Sequence, residues 1–328
     1  MKLKKIRSTQ THDIYETTPR QRAPYHDIVV IVSSDCVSSP DYGMDGLKVE
    51  GKGILSSQLS QKWAEIIDNP YGEDDITDIK FGWANEFADG GVFARQTVYT
   101  ATIGPIALSM GALPENESRE FQELLATPKY KNRSQVQHRL EMFPIDCIVR
   151  GYMSGSMWDA YNRGARKFCG VNLSEGFREA SQLPEPIFTP RLRNDLAHVD
   201  ISFYDMVGVI DSFLNNVKGN YDAPKIAHLI RDVSLYYYKR AAEYALKRGK
   251  IIIADTKFRF GIDPNTEHGD CIMLGGEILT PESSHYWRVD NYAPGEPQDS
   301  QIVSQEIYNQ LFGIPKEFTD SELENFTA

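Results

Sequence analysis

The sequence lacks the features of secreted, disulfide-bonded or membrane-spanning proteins. Its 4 cysteines are spread over 328 residues, a spacing that gives neither a disulfide framework nor a zinc-binding CxxC pair. The apolar run at 28–32 is short, and the run at 103–113 is interrupted by glycine, proline and serine. Neither reaches the ~20 apolar residues that a transmembrane helix needs. The basic segment 1–7 is followed by polar residues, which predicts no secretion signal. We therefore expect a cytoplasmic protein.

An excess of positive charge is also missing. The chain has 35 Lys and Arg residues against 46 Asp and Glu residues, a net charge of −11. Because non-specific binding to nucleic acids and anionic membranes depends on positive charge, we expect neither as a partner. A local basic pocket for a small phosphorylated ligand stays open. Hydrophobic residues make up 41% of the chain, enough for the core of a globular protein and too many for a disordered one.

The apolar patterning predicts short strands joined mainly by hairpins, together with amphipathic helices. Strands are predicted at 13–16, 28–32, 146–152, 251–254, 258–262 and 271–274, and helices at 54–67, 203–217 and 226–244. Ser202 and Asp205 form a capping-box pattern at the start of the second helix, and Gly249 is predicted to close the third. Hairpin connections favour an α+β fold over a doubly wound parallel sheet.

Two segments have the composition of a binding site. Segment 149–156 combines Arg150 with two glycines and two hydroxyl residues, groups that suit a phosphate. On its own it also fits a polar turn with a surface arginine. In segment 254–261 the alternation of a strand puts Asp255, Lys257 and Arg259 on one face. Three charges on one face indicate either a solvated edge or the lining of a site.

A third segment, 277–287, brings acidic, hydroxyl and imidazole groups together before an aromatic pair. Its histidine, His285, is either solvated or functional. Together the three segments resemble the SAICAR synthetase family. The strings that carry the resemblance are, in chain order, 13–16, Ser34-Asp35 with 37–38 and Asp41, 52–55 through Trp63, Arg150-Gly151-Tyr152 with Gly155-Ser156, Phe188-Thr189-Pro190, 253–258 with Phe260-Gly261, and 279–281 with Ser283-Ser284 and Trp287.

The resemblance implies an α+β fold with two antiparallel-sheet subdomains and a cleft between them. It places the nucleotide side in an N-terminal subdomain, 1–120, and the substrate side in a C-terminal subdomain, 121–328. Members of the family join the carboxylate of a carboxyaminoimidazole ribonucleotide to the amine of aspartate, using ATP and magnesium. A carboxylate is a poor electrophile, so the reaction passes through an acyl phosphate that the amine attacks.

Residue roles follow from the same resemblance. It implies that Asp255 and Lys257 are the catalytic pair beside the reacting groups. The implied substrate-binding residues are Arg150, Ser156, Arg193, Asp195, His198, Asp200, Ser38, Asp41 and His285. Lys52 and Glu277 are the implied cofactor-binding residues.

The nucleotide side departs from the family pattern. Residues 9–12 read Thr-Gln-Thr-His where the family has a Gly-Lys-x-Lys/Arg loop. Arg259 stands in place of a glutamate and Gly276 in place of an aspartate, and those two carboxylates are the family's expected magnesium ligands. His285 replaces an arginine. We therefore expect no metal ligands at these positions, and weak or absent binding of MgATP.

Three functions remain open from the sequence. The first is the family reaction, ATP-dependent amide ligation in purine biosynthesis. The second is a divergent homologue with another substrate, another phosphoryl donor or chemistry without ATP. The third is a non-catalytic nucleotide-binding protein on the same scaffold.

Overall fold

A computed structural model describes the chain at residues 2–9, 11–18, 28–36, 48–68, 115–193, 198–217, 219, 221–263, 272–298 and 304–313. Three of the predicted site residues, Ser38, Asp41 and Asp195, lie outside these ranges. The predicted strands and helices fall largely inside them. The fold is α+β, as predicted, with antiparallel sheets and packed helices.

The first sheet has four antiparallel strands in the order β1-β2-β3-β4. The strands are β1 (Lys2–Ser8), β2 (His12–Thr18), β3 (Ile28–Ser33) and β4 (Ser134–His138). The predicted pairing of the segments at 13–16 and 28–32 is confirmed. Tyr15 and Val30 pack with Phe121 of helix α2 (Glu115–Leu125) in a small core. Because β4 follows residue 120, this sheet draws on both sides of the predicted subdomain boundary.

The second sheet is larger and contains seven strands among the described residues. Its strands are β5 (Glu141–Met142), β6 (Ile145–Tyr152), β9 (Gln182–Arg193), β10 (His198–Asp200), β11 (Ile251–Ile262), β12 (Ile272–Gly275) and β13 (Ser284–Arg288). A separate hairpin is formed by β7 (Lys167–Phe168) and β8 (Val171–Asn172). The main order is β10-β9-β6-β11-β12, and both β5 and β13 pair with β11.

Strand β11 is the centre of the second sheet. The predicted strands at 251–254 and 258–262 are in fact one strand, because the backbone stays extended through the charged residues between them. Strands β6 and β13 flank its first part, and β5 and β12 flank its last. The polar residues in the middle of β11 therefore lie in the interior of the sheet rather than in a turn.

The remaining helices cover the second sheet or extend its core. They are α1 (Lys52–Asp68), α3 (Gly155–Asn162), α4 (Phe203–Leu214), α5 (Ala223–Gly249) and α6 (Ser304–Phe312). The capping box of Ser202 and Asp205 is confirmed at the start of α4. Helix α5 does end at Gly249, but the left-handed residue that terminates it is Lys250, with φ of 53°. Within the described residues, no helix is long and apolar enough to cross a membrane.

Helix α1 links the two sheets. Its buried face, Leu55, Leu59 and Trp63, belongs to the core of the second sheet. On the other side the amide of Gln135, in β4, donates to the carbonyl oxygen of Ser57 at 3.2 Å. Gln137 of β4 and Ser60 of α1 also hydrogen-bond to Gly276 and Ile278 in the loop that follows β12. That loop carries the predicted site residue Glu277.

Candidate active site

The charged residues of three neighbouring strands project from one face of the second sheet. The register pairs Asp255 with Arg150 and Lys257 with Ile148 across β11 and β6. It pairs Asp146 with Arg191 across β6 and β9. Since directly paired residues of antiparallel strands point to the same side, these charges share a face. The structure thus brings Arg150, Asp255 and Lys257 together, as the sequence predicted.

Two arginines converge on one hydroxyl group at the start of α3. Arg150 is 4% exposed, and its Nη2 donates to Oγ of Ser156 at 3.2 Å. Arg191 donates to the same oxygen through its Nη2 at 3.0 Å. Two guanidinium groups beside a helix N-terminus supply N–H donors suited to a phosphate, while each also pairs with an aspartate carboxylate.

Arg191 was not predicted as a site residue. It directly follows Phe188-Thr189-Pro190, a string that carries the resemblance, and both lie in β9. Its place next to that string is the feature of the sequence that points to it. The predicted Asp200 pairs with it, with Nε of Arg191 at 2.7 Å from Oδ1. Arg193 lies one alternation further along β9, opposite His198 of β10.

Asp255 is held by donors on both oxygens. Its Oδ1 lies 2.8 Å from Nδ1 of His285. Its Oδ2 accepts hydrogen bonds from Ser154 Oγ at 2.9 Å and from Arg150 Nη1 at 3.3 Å. Burial alone would raise the pKa of Asp255, but the hydrogen bond and charge of His285 and the charge of Arg150 outweigh it and hold the pKa below its usual value. Asp255 is therefore an ionised, fixed carboxylate.

Lys257 lies one alternation further along β11, between acidic groups. Burial and the neighbouring charge of Arg259 lower its pKa, while Asp146, Glu277 and Glu282 oppose that effect. A lysine in such surroundings can neutralise charge that develops on a carboxylate oxygen nearby. Lys257 lies on the same face of β11 as Asp255, and the catalytic role of the two residues stays a prediction.

The predicted cofactor-binding residues engage in ion pairs within the chain. Nε2 of His12, in the segment that departs from the family, lies 2.5 Å from Oε1 of the buried Glu277. Lys52 forms an ion pair with Glu282 rather than with Glu277. Burial would raise the pKa of Glu277, but the charge and hydrogen bond of His12 prevail and lower it. These contacts join β2 and α1 to the loop after β12.

The positions at which the family's magnesium ligands are expected do not fit a magnesium ion. Arg259 donates from Nε to Oδ1 of Asp146 at 2.7 Å. Gly276 has a φ of +78°, and the amide group of Gln137 binds both its N–H and its carbonyl oxygen, at 3.0 and 2.9 Å. Mg²⁺ requires oxygen ligands. In the described part of the chain, no group of three or more His, Cys, Asp or Glu residues is placed to hold a metal ion.

Comparisons with known proteins agree with the resemblance. The model of the SAICAR synthetase family matches residues 5–314. The phosphoribosylaminoimidazole-succinocarboxamide synthase of Lachnospira eligens is 33% identical over 289 residues, covering 88% of this chain and 81% of the relative. The enzyme of the same name from Corynebacterium glutamicum strain R is 32% identical over 319 residues, covering 97% and 84%.

Solved structures give the same fold. A SAICAR synthase from Saccharomyces cerevisiae, complexed with SAICAR, matches with a TM-score of 0.66 at 24% identity, covering 96% of this chain and 97% of that one. A second SAICAR synthase matches with a TM-score of 0.62 at 26% identity, covering 99% and 92%. The predicted fold and family are confirmed: the chain belongs to the SAICAR synthetase family.

Proposed function

We propose that this chain joins the carboxylate of a phosphorylated imidazole ribonucleotide to the amine of aspartate, the carbon–nitrogen ligation of its family, as a cytoplasmic enzyme of purine biosynthesis. One observation carries the proposal. Arg150 and Arg191 converge on Ser156 beside the buried Asp255 and the half-buried Lys257. A phosphate held by the arginines would place the rest of the ribonucleotide over the catalytic pair.

Each part of this arrangement has a role in the ligation. The two guanidinium groups bind the ribonucleotide phosphate bidentately. Lys257 neutralises negative charge on the reacting carboxylate, and Asp255 fixes Arg150 and His285 around it. The carboxylate needs a leaving group before an amine can attack it, and the family obtains that group from ATP. The matches to curated relatives over most of the chain favour this reaction over the two alternatives.

We also propose that MgATP binds more weakly here than the family pattern implies. Arg259 occupies one of the positions expected to carry a magnesium ligand, and Gly276 offers no side chain at the other. At ~4 Å and an effective dielectric constant of about 20, like unit charges repel by about 4 kcal/mol. The ring of His12 lies against Glu277, where it is not free to bind the triphosphate. We expect a dissociation constant in the millimolar range, which corresponds to a binding free energy of about −4 kcal/mol.

The reaction is tested with the purified full chain, carboxyaminoimidazole ribonucleotide, aspartate and MgATP. ADP release and the mass of the amide product are measured together. Product formation that is lost in Lys257→Met and kept in Lys247→Met, an exposed lysine paired with Glu243, is the expected result. Ribonucleotide binding without any amide would overturn the proposed ligation and leave the non-catalytic alternative.

Nucleotide binding is measured separately by titration calorimetry with MgATP. A dissociation constant of about 1 mM or weaker is expected. A constant in the range of tens of micromolar would overturn the proposal of weak binding without affecting the proposed ligation.

A further inference from the structure

The position of His285 points to a catalytic role that an arginine in its place could not perform. His285 lies on β13 directly opposite Asp255 in the register. Its Nδ1 is 2.8 Å from Oδ1 of Asp255. Because that carboxylate is ionised, Nδ1 carries the proton and donates it, and the neutral ring then has its lone pair on Nε2.

Nε2 is accessible. The His285 side chain is 53% exposed, and among the described residues Nε2 makes no hydrogen bond. The carboxylate behind the ring is fixed in turn, since Ser154 and Arg150 donate to its other oxygen. The result is a histidine whose orientation and tautomer are set by a buried aspartate, with an unoccupied acceptor on the face of the sheet that carries the site.

We propose that His285, positioned by Asp255, is the general base that takes the proton from the attacking amine. The proposal rests on the proposed ligation. The nitrogen lone pair of the free amine forms the C–N bond to the carbonyl carbon of the acyl phosphate. The C–O bond between the carbonyl carbon and the phosphate then breaks. The phosphate leaves with the electron pair of that bond and takes up a proton from solvent. The surplus proton on the nitrogen passes to Nε2 of His285, and the imidazolium later releases it to solvent.

The neighbouring groups are less suited to this step. Both oxygens of Asp255 already accept hydrogen bonds, and its lowered pKa makes it a weak base. Burial and the charge of Arg259 lower the pKa of Lys257 against the opposing carboxylates, and the proposed ligation already uses this lysine to neutralise the reacting carboxylate. The charged groups facing His285 are Asp255 and Lys257 from β11 and Arg150 from β6. The hydrogen bond with Asp255 raises the pKa of His285, while burial, Arg150 and Lys257 oppose it. Activity should therefore rise with pH through the pKa of His285.

Two substitutions separate this role from the substrate binding expected of the family's arginine. His285→Gln keeps a polar group of similar reach, and His285→Arg restores the family's cation. We expect both to lower kcat by roughly 100-fold or more, to leave the KM for aspartate within a few fold and to remove the acidic limb of the pH–rate profile. His228→Gln, an exposed histidine of α5, is the control and should leave all three unchanged.

A nucleophile that needs no base gives an independent readout. Hydroxylamine is unprotonated at neutral pH and traps acyl phosphates as hydroxamates. His285→Gln should form hydroxamate at nearly the wild-type rate while amide formation falls. Equal loss of both reactions would overturn the proposal in favour of a structural role. An active His285→Arg with a lower KM for aspartate would overturn it in favour of carboxylate binding. In both cases the ligation itself stands, whereas a wild-type chain that forms no amide overturns the ligation and this inference with it.

Discussion

Arg259 donates a hydrogen bond from Nε to Oδ1 of Asp146 at 2.7 Å, across the central strands β11 and β6. Arg191 lies opposite Asp146 on the next strand and pairs in turn with Asp200 on β10. Charges therefore alternate in sign along a row that crosses four strands. A glutamate at position 259 would instead put two carboxylates side by side, an arrangement that a divalent cation would stabilise.

Restoring both expected carboxylates should create a metal site. We predict that Arg259→Glu combined with Gly276→Asp binds Mg²⁺ or Mn²⁺ at least about tenfold more tightly than the wild type, about 1.4 kcal/mol. Calorimetry or the electron paramagnetic resonance of Mn²⁺ measures it. The left-handed φ at Gly276 is tolerated comparatively well by Asp and Asn.

The matched control for the metal site is Arg259→Gln combined with Gly276→Asn, which changes the same positions without adding carboxylates. Equal metal affinity in the two double variants would show that residues 259 and 276 do not form the subsite. Affinity that appears only in the carboxylate pair would identify it.

Arg150 should dominate the affinity for a ligand phosphate. Arg150→Ala removes a charge-assisted donor and should weaken binding of the imidazole ribonucleotide by about 1.5–3 kcal/mol. Arg150→Lys keeps the charge but not the fork that reaches Ser156, Thr189 and Asp255, so it should recover only part of the loss.

Calorimetric titration with the ribonucleotide checks this prediction. Arg166→Ala, an exposed arginine paired with Glu175, is the control for loss of positive charge. Unchanged affinity in Arg150→Ala, with the fold intact by circular dichroism, would place the phosphate elsewhere.

Local patterns predicted some of the elements and missed others, among them the strands β4 and β9 and the helix α2. The β-branched run at 28–32, the helical spacing at 54–67 and the Ser202–Asp205 capping box all depend on residues close in sequence, and each was found. The division of β11 into two strands was wrong. Its charged middle residues pair with β6 and β13, and the sequence pattern of β11 does not show the pairing with these distant strands. Lys250 terminates α5, although sequence statistics favour a glycine in that conformation.

The site was predicted in part for the same reason. Asp255, Lys257 and Arg150 lie in motifs that a sequence shows directly. Contacts between residues distant in sequence leave no local motif. Neither the Arg259–Asp146 pair nor the His12–Glu277 pair could therefore be predicted from the sequence. These two contacts show how the chain satisfies charges at the positions where it departs from its family.

The Arg259–Asp146 pair should make stability depend on pH below about pH 4. Burial would raise the pKa of Asp146, but the charge and hydrogen bond of Arg259, with Lys257 and Arg193, lower it below 3.8. A group whose pKa is lowered on folding stabilises the fold above its unfolded pKa, and this contribution is lost as pH falls through the folded pKa.

Urea unfolding of the wild type and Asp146→Asn between pH 6 and pH 2 measures this contribution. The stability difference between them should be largest near pH 6 and shrink as pH falls. Arg259→Gln should remove most of the same pH dependence, since it takes away the other member of the pair. A difference that stays constant with pH would contradict the assignment.

Gly151, inside the Arg150-Gly151-Tyr152 motif, should be required by packing against Tyr238. A Cβ atom at this position would overlap the phenolic oxygen of Tyr238, which itself donates to the carbonyl oxygen of Ile253 at 2.6 Å. Gly151→Ala should therefore destabilise the protein by about 1–3 kcal/mol through overpacking. Tyr238→Phe removes the clashing oxygen, so Gly151→Ala should destabilise the protein less in that background, with a coupling free energy between the two substitutions of about 1 kcal/mol or more.

Denaturant unfolding of the wild type, the two single variants and the double variant measures this double-mutant cycle. Strictly additive effects would show that Tyr238 is not the reason for glycine at position 151, and a loss of ribonucleotide binding without loss of stability would assign Gly151 to the ligand instead.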